Sequence, residues 1–379
     1  MKKRLLAVAA FMLSLNGYAA NDAAWMRYCA ISPDGQQIAF SYKGDIYTVG
    51  VNGGRANQIT TNPAHDTRPI WSPNGQQIAF ASDRLGGMDI YIVDKEGGVP
   101  TRITTHSGNE TPLAFKDNEH ILFQANILPA ADDMQFASAQ FPQVYEVSTS
   151  GGRPIMFSSM PMEDISISAD GKTLLYHDKK GYEDNWRKHH TSSITRDVWM
   201  CNLDGERSYK KLSTFNGEDR TPVWANADTY YYLSEQNGSF NVFKANINGG
   251  NPIQVTKHDK HPVRFLTRAN NGTLCYGYNG GIYTLKEGEQ PQKVNINVVT
   301  DKIDRDIIRQ IKNSGATQIA LSAEGKEVAF ILRGDVYVTS TEYKTTKQIT
   351  NTPQQERNVD FAPDGRSLVY ASERDGLWQ

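Results

Sequence analysis

Residues 71–104 read WSPNGQQIAFASDRLGGMDIYIVDKEGGVPTRIT, and this stretch decides the fold. Ser72-Pro73-Asn74-Gly75 is a tight turn, because Pro73 presets φ and Asn74-Gly75 tolerate positive φ. Ile78-Ala79-Phe80 follows as one strand and Asp89-Ile90-Tyr91-Ile92-Val93 as the next. Glu96-Gly97-Gly98 breaks the chain before Thr101-Arg102-Ile103-Thr104. Strands this short cannot bury both faces of their own sheet, so the stretch predicts neighbours of its own kind.

The rest of the chain supplies them. An aromatic closes the second strand of each unit and recurs as Phe40, Phe80, Phe123, Tyr176, Tyr232, Tyr276, Phe330 and Tyr370, with gaps of 40, 43, 53, 56, 44, 54 and 40 residues. That period suits four strands per unit, the size of a propeller blade. A second aromatic follows each of the first seven: Tyr47, Tyr91, Tyr145, Trp199, Phe243, Tyr283 and Tyr337, each preceded by Ile or Val. The turn motif returns as Ser-Pro-Asp-Gly at 32–35, Ser-Ala-Asp-Gly at 168–171 and Ala-Pro-Asp-Gly at 362–365. Gly-Gly follows the third strand at 53–54, 97–98, 151–152 and 249–250, and the fourth often ends in Ile-Thr or Val-Thr, at Thr60, Thr104, Thr256 and Thr350. Bulky aromatics at fixed strand positions fill the wedge between radially stacked sheets, and Gly, Asn and Asp sit where hairpins need positive φ.

Composition agrees. In 379 residues, 39% are hydrophobic and 22% charged, with 31 Gly and 18 Tyr, which suits many short strands and turns in a globular chain. The formal net charge of -2 and the lack of like-charge blocks point away from nucleic acid and anionic membranes. Lys2-Lys3-Arg4, the apolar run Leu5–Leu15 and the small residues of Gly17-Tyr18-Ala19 form a signal peptide over 1–19. The run is too short to span a bilayer, so no membrane span is expected after cleavage. Export then places the protein in the periplasm. Cys29, Cys201 and Cys275 make no disulfide framework and read as buried thiols acting as small hydrophobes.

The sixth unit ends near Val294, and the blade pattern then lapses. Ile303, Ile307, Ile308 and Ile311 lie among Asp301, Lys302, Asp304, Arg305, Asp306 and Arg309, at spacings that decide neither helix nor strand. The expected fold is therefore all-β: a six-bladed β-propeller of four-stranded blades over 25–296, a linker over 297–316, and the first, truncated blades of a second propeller over 317–379. The chain stops at Gln379 before the eighth unit's third strand, which reads as the N-terminal piece of something longer.

The motif Ser-Pro-Asp-Gly…Ile-Ala-Phe…Asp-Ile-Tyr…Gly-Gly…Ile-Thr resembles the repeat shared by TolB, tricorn protease and related exported proteins, over roughly Trp25 to Gln379. Six blades, a link and a restart resemble tricorn-like proteases most, and there the second propeller is seven-bladed. The resemblance implies a serine peptidase acting on peptides, its nucleophile and histidine in domains after both propellers, with this portion as scaffold and substrate gate. The family's founding members are intracellular, so the signal sequence is a departure. The alternative is a TolB-like periplasmic module that binds a protein partner. Homo-oligomerisation stays open.

The residues themselves offer no catalytic set. Gly-x-Ser-x-Gly is absent, and Ser208-Tyr209-Lys210-Lys211 fits Ser-x-x-Lys only as a solvated loop after Asp204-Gly205. His258-x-x-His261 with Asp259, and His189-His190, lack a recognisable further ligand, so neither metal nor cofactor is expected. A more promising set lies where one blade's last strand leads into the next blade's first. It comprises Asp66, Arg68, Glu110, Glu163, Asp164, Glu218, Asp219, Arg220, Asp259 and His261, repeated later by Glu356 and Arg357. In a propeller these loops converge on one mouth of the central channel, where mixed charge could bind peptide termini or side chains. Local pairing of loop charges is the simpler reading. Two long insertions, 124–143 with Phe136 and Phe141 and 177–196 with Tyr182 and Trp186, separate second and third strands. Packing against further domains is preferred for them over ligand contact.

Overall fold

A computed structural model describes residues 24–106, 108–127, 141–182, 192–299, 312, 314–343 and 345–379. The expected signal peptide, Phe136, Trp186, His189-His190 and the linker residues Asp301, Lys302, Asp304, Arg305, Asp306 and Arg309 lie outside these. The chain divides into two compact units between residues 300 and 301.

In the first unit, hairpin follows hairpin to build six sheets. The first contains β1 (Arg27–Ile31), β2 (Gln37–Tyr42), β3 (Asp45–Gly50) and β4 (Gly54–Gln58), and the second β5 (Asp66–Trp71), β6 (Gln77–Ser82), β7 (Asp89–Asp94) and β8 (Thr101–Arg102). The third contains β9 (Thr111–Phe115), β10 (His120–Ala125), β11 (Gln143–Ser148) and β12 (Ile155–Ser158). The fourth holds β13 (Met162–Ile167), β14 (Thr173–Asp178), β15 (Val198–Asn202) and β16 (Tyr209–Lys211). The fifth holds β17 (Asp219–Trp224), β18 (Thr229–Ser234), β19 (Asn241–Asn246) and β20 (Ile253–Gln254). The sixth holds β21 (Arg264–Arg268), β22 (Leu274–Tyr278), β23 (Gly281–Leu285) and β24 (Gln292–Lys293). The chain then sends β25 (Ile296–Val298) back to the first sheet, where it pairs in parallel with β4. A strand therefore occupies the start of the expected linker.

The two aromatic series are cross-strand partners. Phe40 faces Tyr47, Phe80 faces Tyr91 and Phe123 faces Tyr145. Tyr176 faces Trp199, Tyr232 faces Phe243 and Tyr276 faces Tyr283. Phe40 and Tyr47 stack with centroids 5.8 Å apart, and Tyr276 and Tyr283 at 5.9 Å. Such pairs add to the area they bury.

The turn motif works through its serine. Gly75 adopts φ +68 and its N–H closes the turn onto Ser72 O at 2.8 Å. Ser72 Oγ accepts from the N–H of Gln77 at 2.9 Å, as Ser32 Oγ does from Gln37 at 2.9 Å and Ser168 Oγ from Thr173 at 3.0 Å. The terminal threonines lie just past the fourth strands. Thr60 and Thr104 hydroxyls each accept an N–H from the third strand, from Ile46 and Ile90, at 2.9 Å.

Alternate residues of each strand face alternate neighbours, so every sheet contributes to two buried clusters. Ala39 and Phe80 meet between the first and second sheets, Ala79 and Phe123 between the second and third. Leu122 and Tyr176 meet in the next seam, then Leu175 and Tyr232, then Tyr231 and Tyr276. Cys275 and Ile282 of the sixth sheet finally meet Phe40 and Tyr47 of the first. The first strands touch in the same cyclic order, with β21 against β1.

One backbone hydrogen bond repeats at these seams. The N–H entering the first strand of the second, third, fifth and sixth sheets donates to a carbonyl in the preceding sheet's second hairpin: Asp66 to Gly44 at 2.7 Å, Glu110 to Met88 at 2.7 Å, Asp219 to Arg196 at 3.0 Å and Val263 to Phe240 at 2.9 Å. Met26 makes the same bond to Gly280 of the sixth sheet, at 3.1 Å.

The second unit repeats the pattern. It has a four-stranded sheet, β26 (Ala316–Leu321), β27 (Glu327–Leu332), β28 (Asp335–Ser340) and β29 (Thr346–Gln348), and a hairpin, β30 (Glu356–Phe361) with β31 (Leu368–Ser372). Phe330 faces Tyr337, and the Glu356 N–H donates to Gly334 O at 2.7 Å.

Candidate channel-mouth site

The first strands of the six sheets line a cavity of about 1290 Å³. Each of these strands is bulged near its start, and Tyr28, Arg68, Asp164, Thr221 and Phe265 take positive φ of 48–57 there. A bulge re-aims the side chain beside it and frees a backbone group for another partner. Here the freed N–H of Arg68 donates to Ser41 Oγ of the first sheet at 3.2 Å, and that of Thr221 to His177 of the fourth at 3.3 Å. Of the expected charged set, Arg68, Glu163, Asp164 and Arg220 line the cavity.

Arg68 is held by rings. Its guanidinium lies 4.6 Å from the centroid of Tyr28, which in turn packs on Phe265 at 4.8 Å. No carboxylate among the described residues pairs with it. A guanidinium fixed by its face keeps its N–H edges for a planar anion.

The acids belong to a buried network between the fourth and fifth sheets. His177 Nδ1 accepts the Thr221 N–H, so Nε2 carries the ring proton and donates to Glu163 Oε2 at 3.2 Å. Arg196 Nε reaches the same Glu163 oxygen at 3.3 Å, and its NH1 reaches Glu218 Oε1 at 2.9 Å. Arg220 also pairs with Glu218. Burial alone would raise the Glu163 carboxyl, but His177, Lys179 and Arg196 outweigh it and hold Glu163 below the usual carboxylate range. Asp164 is the more open acid, accepting the Thr221 hydroxyl at 2.6 Å.

The other expected residues lie elsewhere. Asp66 and Glu110 are fully buried at the seams and Asp219 nearly so, rather than set around the mouth. Asp66 pairs with Arg84 at 2.7 Å, and Glu110 accepts the Thr104 hydroxyl. The same position holds Glu356 in the second unit, against Thr350 at 3.1 Å and Ser372 at 3.2 Å. Glu110 and Glu356 reach back to threonines at the end of the preceding sheet, whereas Asp66 pairs within its own sheet. Glu218 is likewise enclosed, by Arg196 and Arg220. Asp259 is exposed, and neither it nor His261 lines the cavity. His258 stacks on Tyr278 at 3.9 Å and meets the Tyr276 hydroxyl at 3.0 Å. Among the described residues no group of three or more His, Cys, Asp or Glu is placed to hold a metal. Lys211 of the Ser-x-x-Lys segment pairs with Asp197 at 2.7 Å. Sequence reasoning missed Tyr28, Phe265, His177 and Arg196. Of these only His177 and Arg196, the two ends of the insertion over 177–196, stood at a recognised signal.

Residues 23–291 match the family described as the tricorn protease N-terminal beta propeller domain. The chain belongs to that family. This tricorn-type propeller is 21% identical over 352 residues to tricorn protease homolog 1 of Streptomyces coelicolor, a match that covers 91% of this chain and 32% of the relative. It is 23% identical over 317 residues to the tricorn protease homolog of Saccharolobus solfataricus, covering 80% and 27%. The chain thus spans less than a third of either relative's length. Among solved structures, the crystal structure of the tricorn protease aligns over 92% of this chain and 33% of its own, with TM-score 0.64 and 17% identity. TolB from Acinetobacter baumannii aligns over 72% and 66%, with TM-score 0.50 and 16% identity. At these identities the likeness extends to the fold.

Proposed function

We propose that this chain is the non-catalytic propeller portion of an exported tricorn-like serine protease. On this reading the six sheets over 25–296 are one six-bladed propeller, 297–316 is a link, and 317–379 begin a second propeller. Residues 1–19 direct export to the periplasm, and the bond-breaking residues lie in domains outside this chain. The observation that carries the reading is the family match over residues 23–291, the same residues whose first strands surround the cavity.

The propeller serves as scaffold and gate, admitting peptides and excluding folded proteins. At its mouth the Arg68 guanidinium takes a peptide carboxylate, while Asp164, with Glu163 behind it, takes an amine. Both are charge-assisted contacts. The test is hydrolysis of unstructured peptides by the full-length gene product. Arg68→Ala and Asp164→Ala are expected to raise KM several-fold with kcat little changed, and a full-length protein inert toward every peptide overturns the reading. So does hydrolysis by this chain alone.

A TolB-like periplasmic module is the second reading, favoured by the alignment over two thirds of the TolB chain. The gene beyond Gln379 separates the two. PDZ and serine peptidase domains support the protease, and a stop after one more blade supports the binding module.

A further inference from the structure

The seam between the sixth and first sheets carries two cysteines. Cys29 on β1 and Cys275 on β22 are buried in one cluster, whereas Cys201 lies in the seam between the third and fourth sheets. The Cys29 thiol already crosses the seam, donating to Phe265 O on β21 at 3.5 Å. Thr267 of β21 stands opposite Cys275 in the ladder, and its hydroxyl accepts the N–H of Ile31, two residues beyond Cys29, at 3.1 Å. Cys29 and Cys275 thus face one buried cluster from the two sides of the seam. Burial and the adjoining Cys29 thiol push the Cys275 thiol well up. At the outer edge β25, which follows β24, pairs with β4, while between β1 and the sixth sheet's strands the seam is held by side-chain packing and single hydrogen bonds.

We propose that Cys29 and Cys275 form a disulfide across this seam when the protein folds in an oxidising medium. The oxidant is itself a disulfide. One cysteine, as thiolate, attacks it and releases one thiol, and the second thiolate attacks the protein sulfur of the mixed disulfide and releases the other. Two thiol protons and two electrons leave the protein, and the oxidant ends as two thiols. Buried thiols are inert, so the exchange belongs to folding, before the first sheet docks on the sixth. The loop it closes spans nearly the whole first unit, the case in which a crosslink constrains the unfolded chain most. The inference stands on the sheet geometry and not on the peptidase reading.

The experiment refolds the chain in oxidised and reduced glutathione, blocks free thiols with N-ethylmaleimide in denaturant, and maps the unreduced digest by mass. The expected result is one linked pair, Cys29 with Cys275, and an alkylated Cys201. The thermal midpoint should rise on oxidation in the unaltered chain and in Cys201→Ser, but not in Cys29→Ser or Cys275→Ser. Three alkylated thiols, glutathione adducts alone, or a pair that includes Cys201 overturns the proposal. Because the mass map uses the unaltered chain, a serine variant that misfolds does not blur the outcome.

Discussion

Gly280 accepts the backbone N–H of Met26 at 3.1 Å, one of the bonds that join the sixth sheet to the first. Gly280 has φ +75, and a Cβ there would stand 2.9 Å from the Trp25 nitrogen. Gly280→Ala is therefore expected to cost roughly 1–3 kcal/mol. Urea unfolding measures the loss, and faster hydrogen exchange in β1 than in β9 locates it at this seam.

Arg196 and Glu218 form an ion pair closed off from solvent, with side-chain exposures of 3% and 0%. Removing Arg196 takes one cation from each of two acids in a medium that solvates charge poorly, leaving Glu218 with Arg220 and Glu163 with His177 and Lys179. Arg196→Met should cost about 3–5 kcal/mol, because Glu163 and Glu218 both lose a cation. Adding Glu218→Met should restore part of that loss, and a double-mutant cycle from denaturant melts gives the coupling.

Thr104 bridges two elements: its hydroxyl accepts the Ile90 N–H at 2.9 Å and donates to Glu110. Thr104→Val keeps the shape and removes both bonds, for an expected loss of about 1–3 kcal/mol. The variant should also move the Glu110 carboxyl further up, since the hydroxyl opposes the effect of burial.

Burial pushes Glu110 and Asp219 up to about 7, and burial with Asp66 nearby pushes Asp45 up to about 6. Each binds its proton more tightly folded than unfolded, so the folded state holds more protons between about pH 4 and 7, and stability falls as pH rises there. Their contribution is full below the usual carboxylate range and gone once pH passes the folded values. Glu163 runs the other way: its contribution is present above the usual range and lost only in strong acid. Urea midpoints should fall from acid toward neutral pH, and Glu110→Gln should flatten that fall.

The fold was legible because strand period, turn chemistry and wedge aromatics each leave a local trace. Phe80 and Tyr91 could be paired from spacing alone, and they face each other in the ladder. The site was less legible. Asp66 and Arg68 look equivalent as loop charges, yet the bulge buries one at the seam and turns the other to the cavity. That choice depends on a register shift set by the neighbouring sheet, as does the placing of His177 against Thr221. The return of β25 was hidden for a related reason, since three residues pairing with a distant edge carry no period of their own.

The family match ends at residue 291, but β25 runs from Ile296 to Val298 and covers the outer edge of β4. A truncation placed at the boundary of the alignment would remove that cover and leave Gly54–Gln58 with open N–H and C=O groups. Such an edge recruits other chains. For preparing the first unit by itself, the physical end of the domain lies several residues past the last residue of the family match, and a cut made at that residue invites self-association.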